Sequence, residues 1–213
     1  SIPDTVLRLY RQDPANTQIL CARRNGLDGA KGLNALCQSV LTAEAKPVEV
    51  WDRWHEAIAR VGFHLGDPVL CTRNLWDRGL QNGSLGTVVQ VDDDPQNVTD
   101  DDEEESERVL AWVDWDDGVR RPMVDEMLDD LELGYAITVH KAQGSQWPRV
   151  IVPLTGHRLL DRTLIYTAAT RAQRQVLLVG DEAAAKRAVE AEPRANTRQV
   201  LLDLILSQEF QLE

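Results

Sequence analysis

The stretch GYAITVHKAQGSQW, Gly134–Trp147, decides how the chain reads. Tyr135–Val139 is a short apolar run of the kind that forms a strand buried on both faces. It runs straight into polar groups: a hydroxyl at Thr138, an imidazole at His140, an ammonium at Lys141, then the turn-forming Gln143-Gly144-Ser145. A second passage, LIYTAATRAQRQVLLVGD at Leu164–Asp181, sets a helix-like run, an arginine and a strand in succession. Strands alternating with helices predict a parallel α/β sheet, in which ligands gather at the strand ends.

Working outward, Pro3–Gln12 reads as an amphipathic helix carrying Val6, Leu7, Leu9 and Tyr10. Thr17–Ala22, TQILCA, is a buried parallel strand, Arg23–Gly32 a polar loop, and Leu33–Leu41 has helical spacing. Trp51–Val61 is a further amphipathic helix candidate. At Gly66 the character changes. Asn82-Gly83 is a turn dipeptide, Gly86–Val91, Arg108–Trp115 and Val119–Val124 are strands, and Asp116-Asp117-Gly118 closes a hairpin. Short strands with no helix between them predict a small β-barrel from about Phe63 to Leu128. The α/β pattern then returns, with strands at Val150–Leu154 and Val176–Val179 and helices at Leu160–Arg171, Glu182–Glu190 and Thr197–Leu206. The expected layout is one α/β domain in two segments, 1–62 and 129–213, with the barrel at 63–128 inserted between them.

The 213 residues carry a net charge of −12, unevenly spread. The run 92–107, DDDPQNVTDDDEEESE, holds ten acidic residues and no basic one, which predicts a solvated loop, with a partner-binding tail or a DNA mimic as the alternative. Gly134–Glu190 has four acids against eight Lys or Arg, enough for a phosphate-binding surface. No apolar run approaches the roughly 18 residues that a membrane span requires. Three cysteines, Cys21, Cys37 and Cys71, show no metal-ligand spacing and predict free, mostly buried thiols in a reducing cytoplasm. A chain that opens on Ser1 reads as a piece of a longer protein.

TVHKAQGSQW with YTAATRAQRQVLLVGD resembles the last two motifs of superfamily 1 DNA helicases, in their RecD/TraA branch. GDPVLCTRNLWDRGLQNGSLGTV (Gly66–Val88) resembles the SH3-like barrel inserted in the C-terminal motor half of that branch, and ILCARRNGLDGAKGLN (Ile19–Asn34) resembles the strand and loop that open it. The resemblance covers nearly the whole chain, in the family's order. It implies a RecA-like (P-loop NTPase-type) motor domain with an inserted SH3-like β-barrel. The parent would be an ATP-dependent DNA helicase like the exodeoxyribonuclease V alpha subunit, moving 5′ to 3′.

The same resemblance assigns roles. Thr138, His140 and Lys141 would lie along single-stranded DNA, bonding phosphate and sugar oxygens without reading sequence. Gln143 and Gly144 would link that track to the nucleotide's γ-phosphate. Arg171 would be the catalytic arginine finger, a group typically worth about 10³–10⁵ in rate. Arg174, three residues on, could share its face. Either Arg23 or Arg24 would sense phosphate, and the sequence does not separate them. Trp76, in the polar LWDRG loop, is the base-stacking candidate. Trp51 and Trp54 are expected to pack, Trp147 to buttress its motif, and at most one of Trp112 and Trp115 to reach the core, since they fall on opposite faces of a strand. VLLVGDEAAA looks like a magnesium-binding motor motif but follows the arginine motif. Asp181 therefore reads as an N-cap and Glu182 as a first-turn acid, and no metal site is expected.

G-x-x-x-x-G-K-[ST] is absent, because GLDGAKG has the wrong spacing. ATP and Mg²⁺ would therefore be bound in the intact parent by an N-terminal motor domain, and this chain alone would hold neither, hydrolyse no ATP and unwind no DNA. The partners expected are single-stranded DNA, that N-terminal domain and proteins docking on the acidic run, with no membrane. Two other classes fit the same residues: a non-catalytic module binding nucleic acid or protein through its barrel, and a degenerate motor domain serving as scaffold in a nuclease complex.

Overall fold

The computed structural model describes residues 1–52, 54–94, 108–154 and 162–190; the acidic run past Asp94 and the helix expected over Thr197–Leu206 lie outside the described residues. The elements are α1 (Ile2–Tyr10), β1 (Thr17–Cys21), α2 (Ala30–Leu41), β2 (Pro47–Asp52), β3 (Ala57–His64), β4 (Pro68–Cys71), β5 (Leu85–Val91), β6 (Val109–Trp115), β7 (Arg120–Val124), β8 (Leu131–Leu133), β9 (Ala136–Thr138), β10 (Trp147–Leu154), α3 (Arg162–Ala169), β11 (Ala172–Gly180) and α4 (Glu182–Glu190).

Four strands form a parallel sheet in the order β11-β10-β1-β9. All five residues of β1 are buried, as a strand with layers on both faces requires. Alternation sorts them: Ile19 and Cys21 pack with Val6, Leu33 and Cys37 of α1 and α2, while Leu20 packs with Ile165 and Ala168 of α3. Ile151 joins the first group and Val150 and Val152 the second. Each fully buried aliphatic chain contributes roughly 1.5–3 kcal/mol of transfer free energy, so both faces must stay covered. The three thiols are free and buried, and burial pushes Cys37 up to about 12.

The remaining strands are antiparallel. Five make a sheet in the order β7-β6-β5-β4-β8, and β2 pairs with β3 as a hairpin. They share a second core that runs from Val48 and Phe63 through Val88, Leu110, Trp115 and Met123 to Leu131. That core takes in residues on either side of 63–128. Of the strand β6 tryptophans, Trp115 is buried and Trp112 only partly so.

Three expectations change. Trp51–Val61 is not a helix: β2 and β3 occupy it, and Trp54 at the turn is 95% exposed rather than packed. The Asp52 carboxylate builds that turn by accepting from Trp54 N (2.8 Å) and His55 N (3.2 Å). The strand expected over Tyr135–Val139 keeps only Ala136–Thr138, because Val139–Ala142 closes into a 3₁₀ turn. The helix before Arg171 ends at Ala169, so Arg174 sits exposed in β11 rather than on a helix face. Asp181 behaves as expected, accepting from Ala183 N at the start of α4 (2.9 Å). Among the described residues no helix is long and apolar enough to cross a membrane.

A buried carboxylate is one of the ties between the parallel layer and the antiparallel one. Asp67 is fully buried and accepts from Gln38 Nε2 (2.6 Å), Thr42 Oγ1 (2.6 Å), His64 N (2.7 Å) and Tyr135 Oη (2.6 Å). Those donors come from α2, β3 and the lead into β9. Burial, then the hydrogen bond to Asp67, pushes the Tyr135 phenol well above its ordinary range, so it stays protonated and donating. Asp67→Ala strands four donors together and is expected to cost about 3 kcal/mol or more in urea unfolding. A midpoint shift worth under about 1 kcal/mol would show that the two layers do not depend on it.

Candidate functional site

The site begins with how Leu133–Ala136 is held. Gln18 Nε2, from β1, donates to the carbonyls of Gly134 (3.0 Å) and Tyr135 (3.0 Å). Asn34, from α2, donates to the carbonyls of Leu133 (2.8 Å) and Ala136 (2.9 Å) and accepts from Ala136 N (2.7 Å). With Tyr135 fixed on Asp67, three buried polar side chains clamp the backbone just before Thr138. Neither amide nor the carboxylate was singled out from the sequence. Their partners lie far along the chain, and only the unusual burial of Gln18, Asn34 and Asp67 marks them.

Thr138 leaves the C-terminal end of the parallel sheet, beside Cys21, its register partner in β1. The polar groups that follow fan outward, with Thr138 and Lys141 half-buried and His140 exposed. Against them packs the antiparallel sheet's turn: Gly83 adopts φ +102°, and a side chain there would meet the Lys141 carbonyl at 3.3 Å. A groove of about 300 Å³ opens here, lined by Arg24, Thr72, Arg73, Thr138 and Lys141 together with Asp129, Asp130 and Glu132. Trp76, 69% exposed, stands in the loop that runs from this groove to Gly83.

Arg171 lies elsewhere. It precedes β11 at the N-terminal end of the sheet, where its carbonyl accepts from Trp147 N (2.9 Å). Its guanidinium is half-buried; Nη2 donates weakly to Thr170 Oγ1 (3.4 Å), and Nε is buried with no partner among the described residues. Gln143–Gln146 joins the two ends. Gln143 and Gly144 are exposed, Gly144 turns at φ +86°, and Gln146 Nε2 donates to the Thr170 carbonyl (3.4 Å).

The sequence-level grouping is therefore redrawn. Thr138, His140, Lys141 and Arg24 come together at one end of the sheet; Arg171 and the approach of the Gln143–Gln146 loop to Trp147 lie at the other. Arg23 and Arg24 follow β1 at the end opposite Arg171, so the structure does not bring them to it. Arg23 is ion-paired with Asp28 and Arg24 with Glu132. Arg174 is exposed on β11 beyond Arg171. Among the described residues no group of three His, Cys, Asp or Glu side chains is placed to hold a metal.

Comparison with known proteins identifies the relatives of this chain. Residues 133–179 match the UvrD-like helicase C-terminal domain. The chain is 33% identical over 177 residues to the RecBCD enzyme subunit RecD of Mycolicibacterium smegmatis, covering 82% of this chain and 27% of that one. It is 32% identical over 190 residues to the ATP-dependent RecD2 DNA helicase of Deinococcus radiodurans, covering 88% and 23%. The chain thus spans about a quarter of the length of these relatives. Among solved structures, a Bacteroides Pif1 helicase in complex with ADP-AlF3 and single-stranded DNA is similar over 99% of this chain and 54% of its own, with TM-score 0.52 and 15% identity, a likeness of fold.

The clamp on β9 is open to test. Asn34→Leu leaves two carbonyls and one N–H buried without partners. It is expected to cost about 2–4 kcal/mol and to speed amide hydrogen exchange at Ala136–Thr138. Unchanged exchange there would mean that Asn34 does not order the segment.

Proposed function

Because the chain belongs to the RecD-like superfamily 1 helicases, we propose that it serves as the second motor domain of an ATP-dependent DNA helicase. In this reading it grips single-stranded DNA at one end of its parallel sheet. At the other end it lends Arg171 to ATP seated in a motor domain outside this chain.

The observation that carries the reading is the state of Arg171. Arg23, Arg24, Arg73, Arg120 and Arg121 each have a carboxylate partner. Arg171 has none among the described residues, and its Nε, like those of Arg23, Arg108 and Arg149, is out of water without a hydrogen bond. A guanidinium desolvated in part and left without an anion is costly, and a phosphoryl oxygen would satisfy it. As charge builds on the transferring phosphoryl group, that contact strengthens, which is how such a residue lowers the barrier. Gln143 and Gly144 would lie beside the γ-phosphate, where the left-handed turn keeps the backbone uncovered. Mg²⁺ would be held with the β- and γ-phosphates by the other motor domain, since G-x-x-x-x-G-K-[ST] is absent from this sequence.

Thr138, His140 and Lys141 would bond the strand's phosphates and sugars, and Trp76 would offer a base a stacking face. Arg24, which lines the same groove, is assigned to the DNA rather than to the nucleotide. Within the antiparallel part, which runs from β2 to β8, 63–128 is read as an inserted SH3-like barrel, flanked by the motor segments 1–62 and 129–213. Its turn at Gly83 braces Lys141. Resemblance to RecD-type enzymes favours travel from 5′ to 3′.

Two variants of the full-length protein test this. Arg171→Ala should lower the kcat of DNA-stimulated ATP hydrolysis by about 10³ or more while single-stranded DNA affinity stays near wild type. Thr138→Ala with Lys141→Ala should do the reverse, weakening DNA binding first. An ATPase indifferent to Arg171→Ala would favour a scaffold role instead.

A further inference from the structure

The groove at the end of β9 is electrically balanced by the chain itself. Three cations, Arg24, Arg73 and Lys141, and three carboxylates, Asp129, Asp130 and Glu132, line the same 300 Å³. The pairing spans the two layers: Arg24, from the loop after β1, is bonded to Glu132 in β8, and Arg73 Nη1 lies 3.4 Å from Asp130 Oδ1. The acidic wall is fixed in place. The Asp130 carbonyl accepts from Thr72 N (2.8 Å) and Thr72 Oγ1 (3.1 Å), and Glu132 stands opposite Leu70 in the β4–β8 ladder. Two of the cations are more open to water, with the Arg73 side chain 75% exposed and Arg24 56% exposed. The guanidinium groups of Arg24 and Arg73, on largely exposed side chains, meet Glu132 in β8 and Asp130 in the 3₁₀ turn before it, next to hydroxyls at Thr72 and Thr138.

From this geometry we infer that Glu132, with Asp130, is a stand-in for phosphodiester oxygens: it holds Arg24 in the groove in the absence of a strand and competes with the strand for it. The inference rests on the DNA-gripping reading of this groove. A carboxylate and a phosphodiester present the same planar acceptor edge to a guanidinium, so one can replace the other on Arg24 with little rearrangement. The exchange swaps one ion pair for another and keeps the net grip modest. A domain that must release the backbone at each step is served by that compromise. It also offsets attraction for small free anions, because a single phosphate gains only what Glu132 gives up.

The experiment is a double-mutant cycle in the full-length protein, read as the Kd for a fluorescent oligothymidylate at low salt. Glu132→Gln should tighten binding roughly fivefold, the worth of one half-exposed ion pair. The gain should vanish in the Arg24→Ala background, because the carboxylate acts through that guanidinium. Glu126→Gln, an equal charge change outside the groove, should do little. Glu132→Gln binding unchanged or weaker, a gain that persists without Arg24, or a gain that appears in the KM for ATP instead would overturn the inference. If these occur while Thr138→Ala still weakens DNA binding, the stand-in role fails alone. If Thr138→Ala and Lys141→Ala leave binding intact as well, the DNA-gripping reading fails with it.

Discussion

The buried Asp67 carboxylate sets what the rest of the molecule can be. The two layers, one parallel and one antiparallel, have no strand in common, and Leu70 of β4 packs into the parallel layer's core beside Leu20 and Ile137. Such units would normally move against each other. Asp67 prevents this by accepting from α2, β3 and Tyr135 at once, with Val88 N donating to its backbone carbonyl (2.9 Å) and Gly134 N to that of Pro68 (2.8 Å). Every oxygen lone pair of the carboxylate that matters is occupied, which is what allows an acid to remain in a dry interior. The edge-to-face contact of Tyr10 and Tyr135, with ring centroids 5.9 Å apart, extends the same joint to α1.

That joint explains why the polar groups after β9 can be placed at all. β9 is three residues long, too short to hold its own register by ladder bonds. Gln18 and Asn34 take over, fixing the backbone on both sides of Tyr135, and the antiparallel turn at Gly83 closes against Lys141 from outside. The antiparallel insertion is thus one wall of the groove, and its Arg73 and Glu132 are as much part of the site as Thr138.

Much of the fold was legible because burial leaves a period. TQILC and VLAWVDW read as strands from their apolar residues, α2 from helical spacing, and the hairpin at Gly118 from its turn residues. The α/β class and the helicase relationship followed from the two late motifs. The failures share a cause. At Trp51–Val61 the apolar positions fit a helix, and the real turn has no Gly-containing dipeptide to betray it. Asp52 supplies the turn through its side chain, and Glu56 takes φ +47°, the left-handed conformation that glycine usually fills. Asp67, in Gly66-Asp67-Pro68, looks like an ordinary surface turn. Its meaning lies in Gln38, Thr42 and Tyr135, which local sequence cannot connect. The pairing of Arg24 with Glu132, 108 residues apart, was hidden for the same reason.

The placement of Arg171 and the groove at opposite ends of one sheet has a mechanical consequence under the proposed function. β1, β10 and β11 are buried or ladder-bonded along their lengths, so the sheet moves as a unit. A load on the Arg171 guanidinium would pass into the start of β11, and from there through the Trp147 N–H to the start of β10 and through Gln146 to the loop. That loop leads back, across the left-handed turn at Gly144, to Ala142, Lys141 and Thr138. The Gln143-Gly144 pair on this path is exposed, and among the described residues nothing lies within 4 Å of where a Gly144 side chain would stand. Strain between nucleotide and strand would therefore concentrate there, at a residue whose missing side chain lets the backbone turn without cost to the layers on either side.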